Sequence, residues 1–445
     1  MRRVVKVSRI RIIITIIVVV LTTLLTGCTG KEPNEIAYVV ALGIDSTDDD
    51  NYKITIQYAN TTQISGGASE SGGKSGSKIV DNVTIEAPNI YAGVGLANNI
   101  VSKSFSMSHA KLIVFSKEIA EKGVKDMIET LVRSEEIRPD VFIAVANTTA
   151  NDYLTSVNPE MEVNPAQYYQ LIYQKNQLVG IPDGQLREFF TGLYTDNYDS
   201  ILPVAGVIEG AGGNSQNDDK GQSKDGQNEG SEGSSESLDS FESKSSDDKD
   251  ENEKEKDAEK NTSKYEYDIK NYVGGETAIE KKNKAEAIGA AVFEKDKMVG
   301  ELGEVETEIC KILKGDYTYS YLTYYNNDTP DIPITVKTTQ QKKPKYKIDT
   351  DKKTVDIELY IESDLYSLPA DYNVENKIED FERDVANYTS STCTKFINNF
   401  TKKYNSDILK LNEKVKYKFL TNNQYNWFQK KRRLERIQIL CVYQL

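Results

Sequence analysis

Short apolar runs separated by polar turns fill the first half of the chain. Residues 52–58 place an apolar side chain at every second position, which is typical of a half-buried strand. Residues 111–115 and 139–146 have continuous apolar centres and predict buried strands, and residues 117–133 between them predict one amphipathic helix. This order favours a mixed sheet with helices on one side. The same patterns predict further strands at 35–45 and 83–86 and helices at 88–100, 152–154, 165–177 and 183–193.

The second half of the chain predicts strands followed by one long helix. Residues 201–208 and 287–293 are apolar, and we expect both to be buried strands of one domain. Turns are expected at 295–297 and 349–353. The long helix would cover 374–404 and pack its apolar stripe on antiparallel strands. The stripe comprises Ile378, Phe381, Val385, Tyr388, Cys393, Phe396, Ile397 and Phe400.

A polar segment interrupts this second half. Residues 214–264 contain sixteen acidic and eight basic residues, and their only large apolar residues are Leu238 and Phe241. Such a segment cannot bury enough apolar surface to offset the entropy of ordering, so it predicts a disordered insert that spans about 209–284. Because apolar strands flank it, we interpret it as an insert within one domain. A plain linker between separate domains is the alternative.

The amino-terminal segment predicts export and lipidation. Five cations precede an apolar run at 12–21 that only Thr15 interrupts, and a tetrad typical of a bacterial lipobox closes the segment. In this interpretation residues 1–27 are a signal peptide and the tetrad's cysteine carries the lipid. A transmembrane anchor is the alternative, but the apolar run is shorter than the roughly 20 residues that a bilayer needs. The tetrad consists of Leu25, Thr26, Gly27 and Cys28.

Net charge and cysteine spacing narrow the function classes. The formal net charge is −14 and becomes more negative once the leader is removed, which argues against binding to nucleic acid or to anionic lipid headgroups. Lipid attachment at Cys28 would leave Cys310, Cys393 and Cys441, whose spacing fits neither a zinc site nor a redox pair. We expect Cys310 and Cys393 to be small buried apolar residues.

Motifs for catalysis are weak. His109 is the only histidine, so a metal site with two histidine ligands is excluded, and we expect it to be hydrogen-bonded at the start of a strand. Ser108 and Lys111 match Ser-x-x-Lys, but no Lys-Thr-Gly accompanies them. Carboxylates such as Glu135 and Glu136 are numerous, so a tethered hydrolase with a carboxylate pair stays open. No catalytic, cofactor-binding or metal-binding residue is predicted.

Several segments of the chain carry a family resemblance. The most specific of them is 288–302, which includes the glycine and alanines of one predicted strand and the turn that follows it. The others are the lipobox, 41–45, 108–116, 133–140, Leu202 with Pro203, and 404–408. Together these segments are similar to the C subunit of bacterial spore germinant receptors, the Ger(x)C lipoprotein family.

This resemblance implies a lipoprotein on the outer face of the spore inner membrane. There it would act with membrane-embedded A and B subunits to trigger germination in response to nutrients, without catalysis and without a cofactor. The resemblance also implies an α+β fold of three domains, with mixed and antiparallel sheets packed against helices. We expect these domains at 28–194, 195–315 and 316–445, with the acidic insert in the second.

Two features depart from the family pattern. The acidic insert lengthens the second domain, and residues 428–445 do not look like the family's closing strands. If that end is truncated or frame-shifted, the third domain would lose an edge strand. The alternative function is a solute-binding lipoprotein of a transporter. That function would need two lobes around a polar cleft, whereas the sequence predicts three unequal units.

Overall fold

The structure is a computed structural model that describes the chain in sixteen stretches. The lipobox, from Leu25 to Cys28, and the acidic segment 214–264 lie outside the described residues. The described residues are 13–19, 33–49, 51–60, 79–159, 162, 164–174, 180–195, 198–208, 271–277, 283–326, 329–352, 354–368, 378–404, 406–421, 423–424 and 436–444.

The first sheet contains nine strands. They are β1 (Ile36–Ser46), β2 (Tyr52–Ala59), β3 (Val80–Ala87), β4 (Ser104–Ser106), β5 (Leu112–Ser116), β6 (Phe142–Ala146), β7 (Ile201–Val207), β8 (Ala285–Glu294) and β9 (Lys297–Leu302). Their spatial order is β3–β2–β1–β5–β6–β7–β8–β9, with β4 beside the start of β1. The four central strands β1, β5, β6 and β7 run parallel, and an antiparallel pair flanks them on each side. The predicted mixed sheet is therefore confirmed.

In the described part of the N-terminal half, six helices pack on this sheet. They are α1 (Ile90–Ala97), α2 (Lys117–Lys122), α3 (Lys125–Val132), α4 (Ala150–Ser156), α5 (Pro165–Tyr173) and α6 (Leu186–Tyr194). Ile113 and Phe115 of β5 share one core with α1, α2, α3 and α6, while Leu112 and Val114 share another with α4 and α5. The prediction of helices on one side was wrong, because continuously apolar parallel strands need cover on both faces.

The single helix predicted over 117–133 is two helices, α2 and α3. Gly123 separates them with a φ of 124°, a backbone conformation that favours glycine. The next residue, Val124, donates its backbone N–H to the carbonyl of Asp296 (3.0 Å), in the turn between β8 and β9. The break therefore attaches this helical segment to that turn.

The strands on either side of the acidic insert pair directly with each other. Strand β7 pairs antiparallel with β8, and both belong to the first sheet. Residues 271–277 cross this pair so closely that a Cβ on Gly206 would lie 2.0 Å from the carbonyl carbon of Gly274. Strands from the predicted first and second domains thus form one continuous sheet, while the division into three domains stays a prediction.

The second sheet contains four strands. They are β10 (Tyr319–Asn326), β11 (Thr329–Asp349), β12 (Thr354–Ser367) and β13 (Arg436–Gln444), in that spatial order. The first three are antiparallel, as predicted, whereas β13 runs parallel to β12. Strand β13 lies within the divergent segment 428–445, so this segment supplies an edge strand beside β12.

Three further helices lie in the C-terminal half of the described chain. They are α7 (Glu304–Lys314), α8 (Ile378–Lys403) and α9 (Leu411–Lys416). Helix α7 joins the two sheets, because its apolar face shares one core with Val292 of the first sheet and Leu359 of the second. Helix α8 buries the predicted stripe except Ile378, which is exposed at the first turn. Cys310 of α7 and Cys393 of α8 are buried, as predicted.

Candidate functional site

The predicted lipid-attachment residues Leu25, Thr26, Gly27 and Cys28 lie outside the described residues. Ahead of them, residues 13–19 form an exposed apolar helical segment. Among the residues that the structure describes, no helix is both long enough and apolar enough to cross a bilayer.

The one histidine lies at the start of β5, as predicted. The Oγ of Ser108 lies 3.0 Å from Nδ1 of His109, and both residues are exposed. The imidazole also packs edge-on against the ring of Tyr38, with ring centroids 4.9 Å apart. Lys111 is held through its backbone, which donates to Val40 and accepts from Phe142. These contacts indicate that residues 108–111 have a structural role, as a loop that holds the start of β5 in place.

Two of the segments that carry the family resemblance, 108–116 and 133–140, lie close together at the amino ends of β5 and β6. Glu136 accepts a hydrogen bond from the backbone N–H of Met107 (2.6 Å), which joins 133–140 to the loop before β5. Arg138 donates two hydrogen bonds to Asp140 (2.9 and 3.0 Å) and lowers the pKa of that carboxyl. These carboxylates are engaged in holding loops together, which is a structural role.

A shallow, open depression lies beside these loops. Its volume is about 500 Å³, and its wall comes from the first turn of α1 and the loop after α3. Arg133 in this wall forms an ion pair with Glu129 (2.7 Å) at the end of α3. The depression has the openness of a surface and not the enclosure of a small-molecule pocket. Its lining residues are Tyr91, Thr130, Arg133, Ser134, Glu135 and Glu136.

Asp407 organises the junction between the first sheet and the C-terminal region. Its carboxylate accepts the backbone N–H groups of Leu411 (2.8 Å) and Asn412 (2.7 Å) at the start of α9. Its own N–H donates to Asp199 (2.9 Å), and the other oxygen of Asp199 accepts from the backbone of Lys295 (3.0 Å). Burial raises the pKa of Asp407 to about 6, although the two N–H donors oppose that shift.

Helix α7 places two further ionisable groups, the half-buried Glu308 and the buried Lys311, at the contact between the sheets. Burial raises the pKa of Glu308 to about 7, and hydrogen bonds from Ser320 and Tyr317 act in the opposite direction. Lys311 is buried, and its Nζ donates to the carbonyl of Ile181 (3.2 Å), while burial lowers its pKa. Through these hydrogen bonds Glu308 and Lys311 connect α7 to neighbouring secondary-structure elements and loops.

A groove of about 370 Å³ runs between α7 and α8. Apolar side chains such as Ile309 and Phe396 form its floor, and Lys395 and Lys403 lie at its rim. Asn271, which lies within the span predicted for the insert, also lines the groove and accepts the backbone N–H of Val305 (3.0 Å) in the first turn of α7. The end predicted for the insert, about 284, was therefore too late, because residues 271–277 pack on the fold and Asn271 caps this helix.

The described residues contain no cluster of three or more histidine, cysteine, aspartate and glutamate side chains suited to a metal ion. Sequence reasoning missed three ionisable groups at these junctions, the half-buried Asp407 and Glu308 and the buried Lys311. A signal existed for Lys311, which interrupts the apolar positions Ile309, Cys310, Ile312 and Leu313. For Asp407 the only signal in the sequence was its position just before a short helix, where side chains that accept hydrogen bonds are common.

Two family models match most of the chain. The model described as "Spore germination protein N-terminal domain" matches residues 30–207, which include β1 to β7. The model described as "Spore germination B3/ GerAC like, C-terminal" matches residues 288–439, which include most of β8 and all of α7, α8 and β10 to β12. The stretch between the two matches contains the acidic insert.

Curated relatives match over shorter stretches. The chain is 26% identical to spore germination protein KC of Bacillus subtilis over 174 residues, 36% of this chain and 42% of that protein. It is 25% identical to spore germination protein B3 of the same organism over 148 residues, 31% of this chain and 36% of that protein. These matches therefore span about two fifths of the relatives' length.

A solved structure also resembles the chain. The crystal structure of the GerBC protein aligns with a TM-score of 0.46 and 14% sequence identity. The alignment covers 90% of this chain and 96% of that one.

Proposed function

This chain belongs to the Ger(x)C family of spore germination proteins, and from that membership we propose that it is a lipid-anchored, non-enzymatic subunit of a nutrient germinant receptor. The family membership carries a role in spore germination. The anchor, the partners and the absence of catalysis are the proposed parts. In this proposal the protein acts with membrane-embedded A and B subunits at the outer face of the spore inner membrane.

The lipobox supports the anchor. The family match begins at residue 30, two positions after Cys28, so the matched body starts where a processed lipoprotein would start. A single acyl chain holds a protein at a membrane only marginally, because each buried methylene contributes about 0.8 kcal/mol. A diacylglyceryl thioether on Cys28 would supply two chains, which gives lasting attachment.

The hydrogen bonding of the polar groups supports a role without catalysis. Glu136, Arg138 and Asp140 bind backbone groups or each other, and Asp407 caps α9. His109 pairs with a serine on an exposed loop. An acid–base site needs such groups to converge within hydrogen-bond reach of one reacting atom. In the described part of the chain these groups instead connect loops, strands and helices, as expected of a body that offers docking surfaces.

The topology bears on the solute-binding alternative. Such a lipoprotein has two lobes that face each other across a polar cleft. Here strands β6, β7 and β8 pair side by side, so the predicted first and second domains share one sheet. This continuity favours a receptor subunit over a two-lobed binding protein.

Replacing the lipidated thiol tests the proposal. Cys28→Ala removes the only acceptor that the lipobox offers, so the precursor should remain uncleaved and without acyl chains. Mass spectrometry of the amino-terminal peptide should show a diacylglyceryl mass on wild type and an intact leader on the variant. Spores that carry the variant should respond poorly to the nutrient of this receptor, because the subunit is no longer held beside its partners.

Thr29→Ala provides the matched control, since it alters the adjacent residue and leaves the lipobox intact. It should be lipidated and should support germination like wild type. An unmodified Cys28 in the wild-type protein would refute the anchor. Failure of the lipidated protein to copurify with integral membrane subunits would refute the proposed partnership.

A further inference from the structure

Two large apolar side chains project from residues 96–103, a tip that comprises the end of α1 and the turn after it. Leu96 is 48% exposed and Ile100 is 69% exposed, one helical turn apart. Backbone hydrogen bonds hold the tip in shape, since Asn99 donates to Leu96 and Ile100 donates to Ala97, both at 3.0 Å. Exposed apolar side chains on a fixed turn lose little entropy when they bind a surface.

This tip lies beside the point where the chain enters the fold. Strand β4 runs parallel to the first residues of β1, and Ser104 pairs with Ile36. Because the two strands are parallel and in this register, the residues just before Ser104 and those just before Ile36 leave the sheet at the same end, where β1 and β4 begin. We call this the entry end of the first sheet. The side chain of Asn98 accepts the backbone N–H of Phe105 (2.7 Å), which fixes the tip to β4.

The number of residues between Cys28 and β1 limits how far the entry end of the sheet can lie from a membrane. Only seven residues separate Cys28 from Ile36, so even a fully extended tether spans at most about 28 Å, at roughly 3.3–3.6 Å per residue. With a lipid on Cys28, the entry end of the first sheet is the part of the folded protein that the tether holds nearest to the bilayer. The tip lies next to that end of the sheet.

We propose that Leu96 and Ile100 enter the outer leaflet beside the lipid anchor and fix the orientation of the body on the membrane. This inference rests on the proposed lipidation of Cys28. Residues 96–103 contain no acidic side chain and include Lys103, although the chain as a whole carries a net charge of −14. The tip is therefore a part of an acidic protein that an anionic bilayer does not repel.

The size of the tip favours lipid over a protein partner as its contact. A specific protein interface buries upwards of about 1,000 Å² in total, and two side chains cannot supply such an area. Insertion of apolar side chains at the headgroup boundary needs no shaped partner, and its free energy adds to that of the two acyl chains.

Quenching by spin-labelled lipid tests this contact in the full-length lipidated protein. The protein carries Cys441→Ser, a single bimane fluorophore on Ile100→Cys, and the two buried thiols Cys310 and Cys393 unchanged. It is reconstituted on vesicles of phosphatidylcholine and phosphatidylglycerol that contain nitroxide-labelled lipid. Fluorescence at position 100 should be largely lost. The same fluorophore on Leu420→Cys, a position that is 96% exposed, should keep its intensity.

Flotation of the vesicles separates the two ways in which the experiment can fail. Protein that does not float with the vesicles refutes the lipid anchor, and this inference fails with it. Protein that floats but keeps its fluorescence at position 100 leaves the anchor intact and overturns the inference alone. Recovery of fluorescence at position 100 once A and B subunits are added assigns the tip to a protein contact and also overturns the inference.

Discussion

The two sheets of this protein differ in how many of their faces are covered by helices. The first sheet has a parallel centre and is buried on both faces, so consecutive residues of β5 enter two different cores. The second sheet packs one face on α7 and α8, where Leu359 of β12 is buried, while Tyr321 and Tyr366 on its other face are 54% and 57% exposed. A sheet covered on one side has a face left for other contacts.

We therefore expect both faces of the first sheet to contribute strongly to the free energy of unfolding, and the outer face of the second sheet to contribute little. Among the described residues, the outer face of the second sheet carries aromatic rings and lysines instead of aliphatic side chains. The Nζ of Lys337 lies 5.0 Å from the ring centre of Tyr319, and that of Lys345 lies 4.9 Å from Tyr360. Substitutions there should leave the fold intact, whereas either face of the first sheet should resist change.

The largest effects are expected from adjacent residues of β5. Leu112→Ala and Ile113→Ala should each lower the free energy of unfolding by about 2–5 kcal/mol, because each leaves a cavity in a different core. In β12, Leu359→Ala should cost a similar amount and Tyr360→Ala less than about 1 kcal/mol. Urea denaturation followed by circular dichroism measures all four variants.

This set of variants can disprove the comparison directly. A small effect for one of Leu112→Ala and Ile113→Ala would mean that the first sheet has an open face after all. A large effect for Tyr360→Ala would mean that the outer face of the second sheet is packed. The matched pairs share one strand each, so differences in local backbone cannot explain either result.

A smaller effect, dependent on pH, is expected where the two regions meet. Burial raises the pKa of Glu308 to about 7, above its ordinary value near 4.5. The folded protein then holds a proton that the unfolded chain releases, so the free energy of unfolding falls as pH rises from about 4.5 to about 7. The loss through this group should amount to about 1–3 kcal/mol.

Glu308→Gln should remove this part of the pH dependence, because the amide cannot ionise and its carbonyl can still accept a hydrogen bond. Denaturation midpoints measured between pH 5 and pH 8 would show a flatter profile for the variant. Glu362→Gln, at an exposed position of β12, is the control and should keep the wild-type slope. An unchanged slope in Glu308→Gln would show that this carboxyl is ionised in the folded protein.

Local periodicity was enough to predict most single elements. The alternation over 52–58 predicted β2, and the apolar stripe predicted α8, since both patterns depend on neighbouring residues alone. The break between α2 and α3 was missed, although Gly123 marked it. Helix α7 was also missed, because its acidic first turn and buried Lys311 obscure its apolar face.

Relations between distant segments could not be predicted from such patterns. Strands β6 and β7 meet through two residue pairs only, and this short contact makes the first sheet continuous. The junction at Asp407 depends on Asp199, which is 208 residues away in the chain. The loops with family resemblance were found from the sequence, but their meeting through Glu136 and Met107 is a property of the fold. The assignment of Cys28 as the anchor remains a prediction.

The smallest expected effect compares two aromatic pairs of similar geometry. Phe189 and Phe293 meet edge to face in the first core with ring centroids 5.0 Å apart, and Tyr321 and Tyr366 do so on the outer face of the second sheet at 5.2 Å. Double-mutant cycles with leucine should give a coupling of about 1 kcal/mol for the buried pair and about 0.5 kcal/mol or less for the exposed pair. The cycle removes the free-energy effect of each single substitution, so the remaining coupling energy reports how far water is excluded from each ring contact. Equal couplings would mean that water is excluded from the outer face too, and that this face cannot be free for a partner.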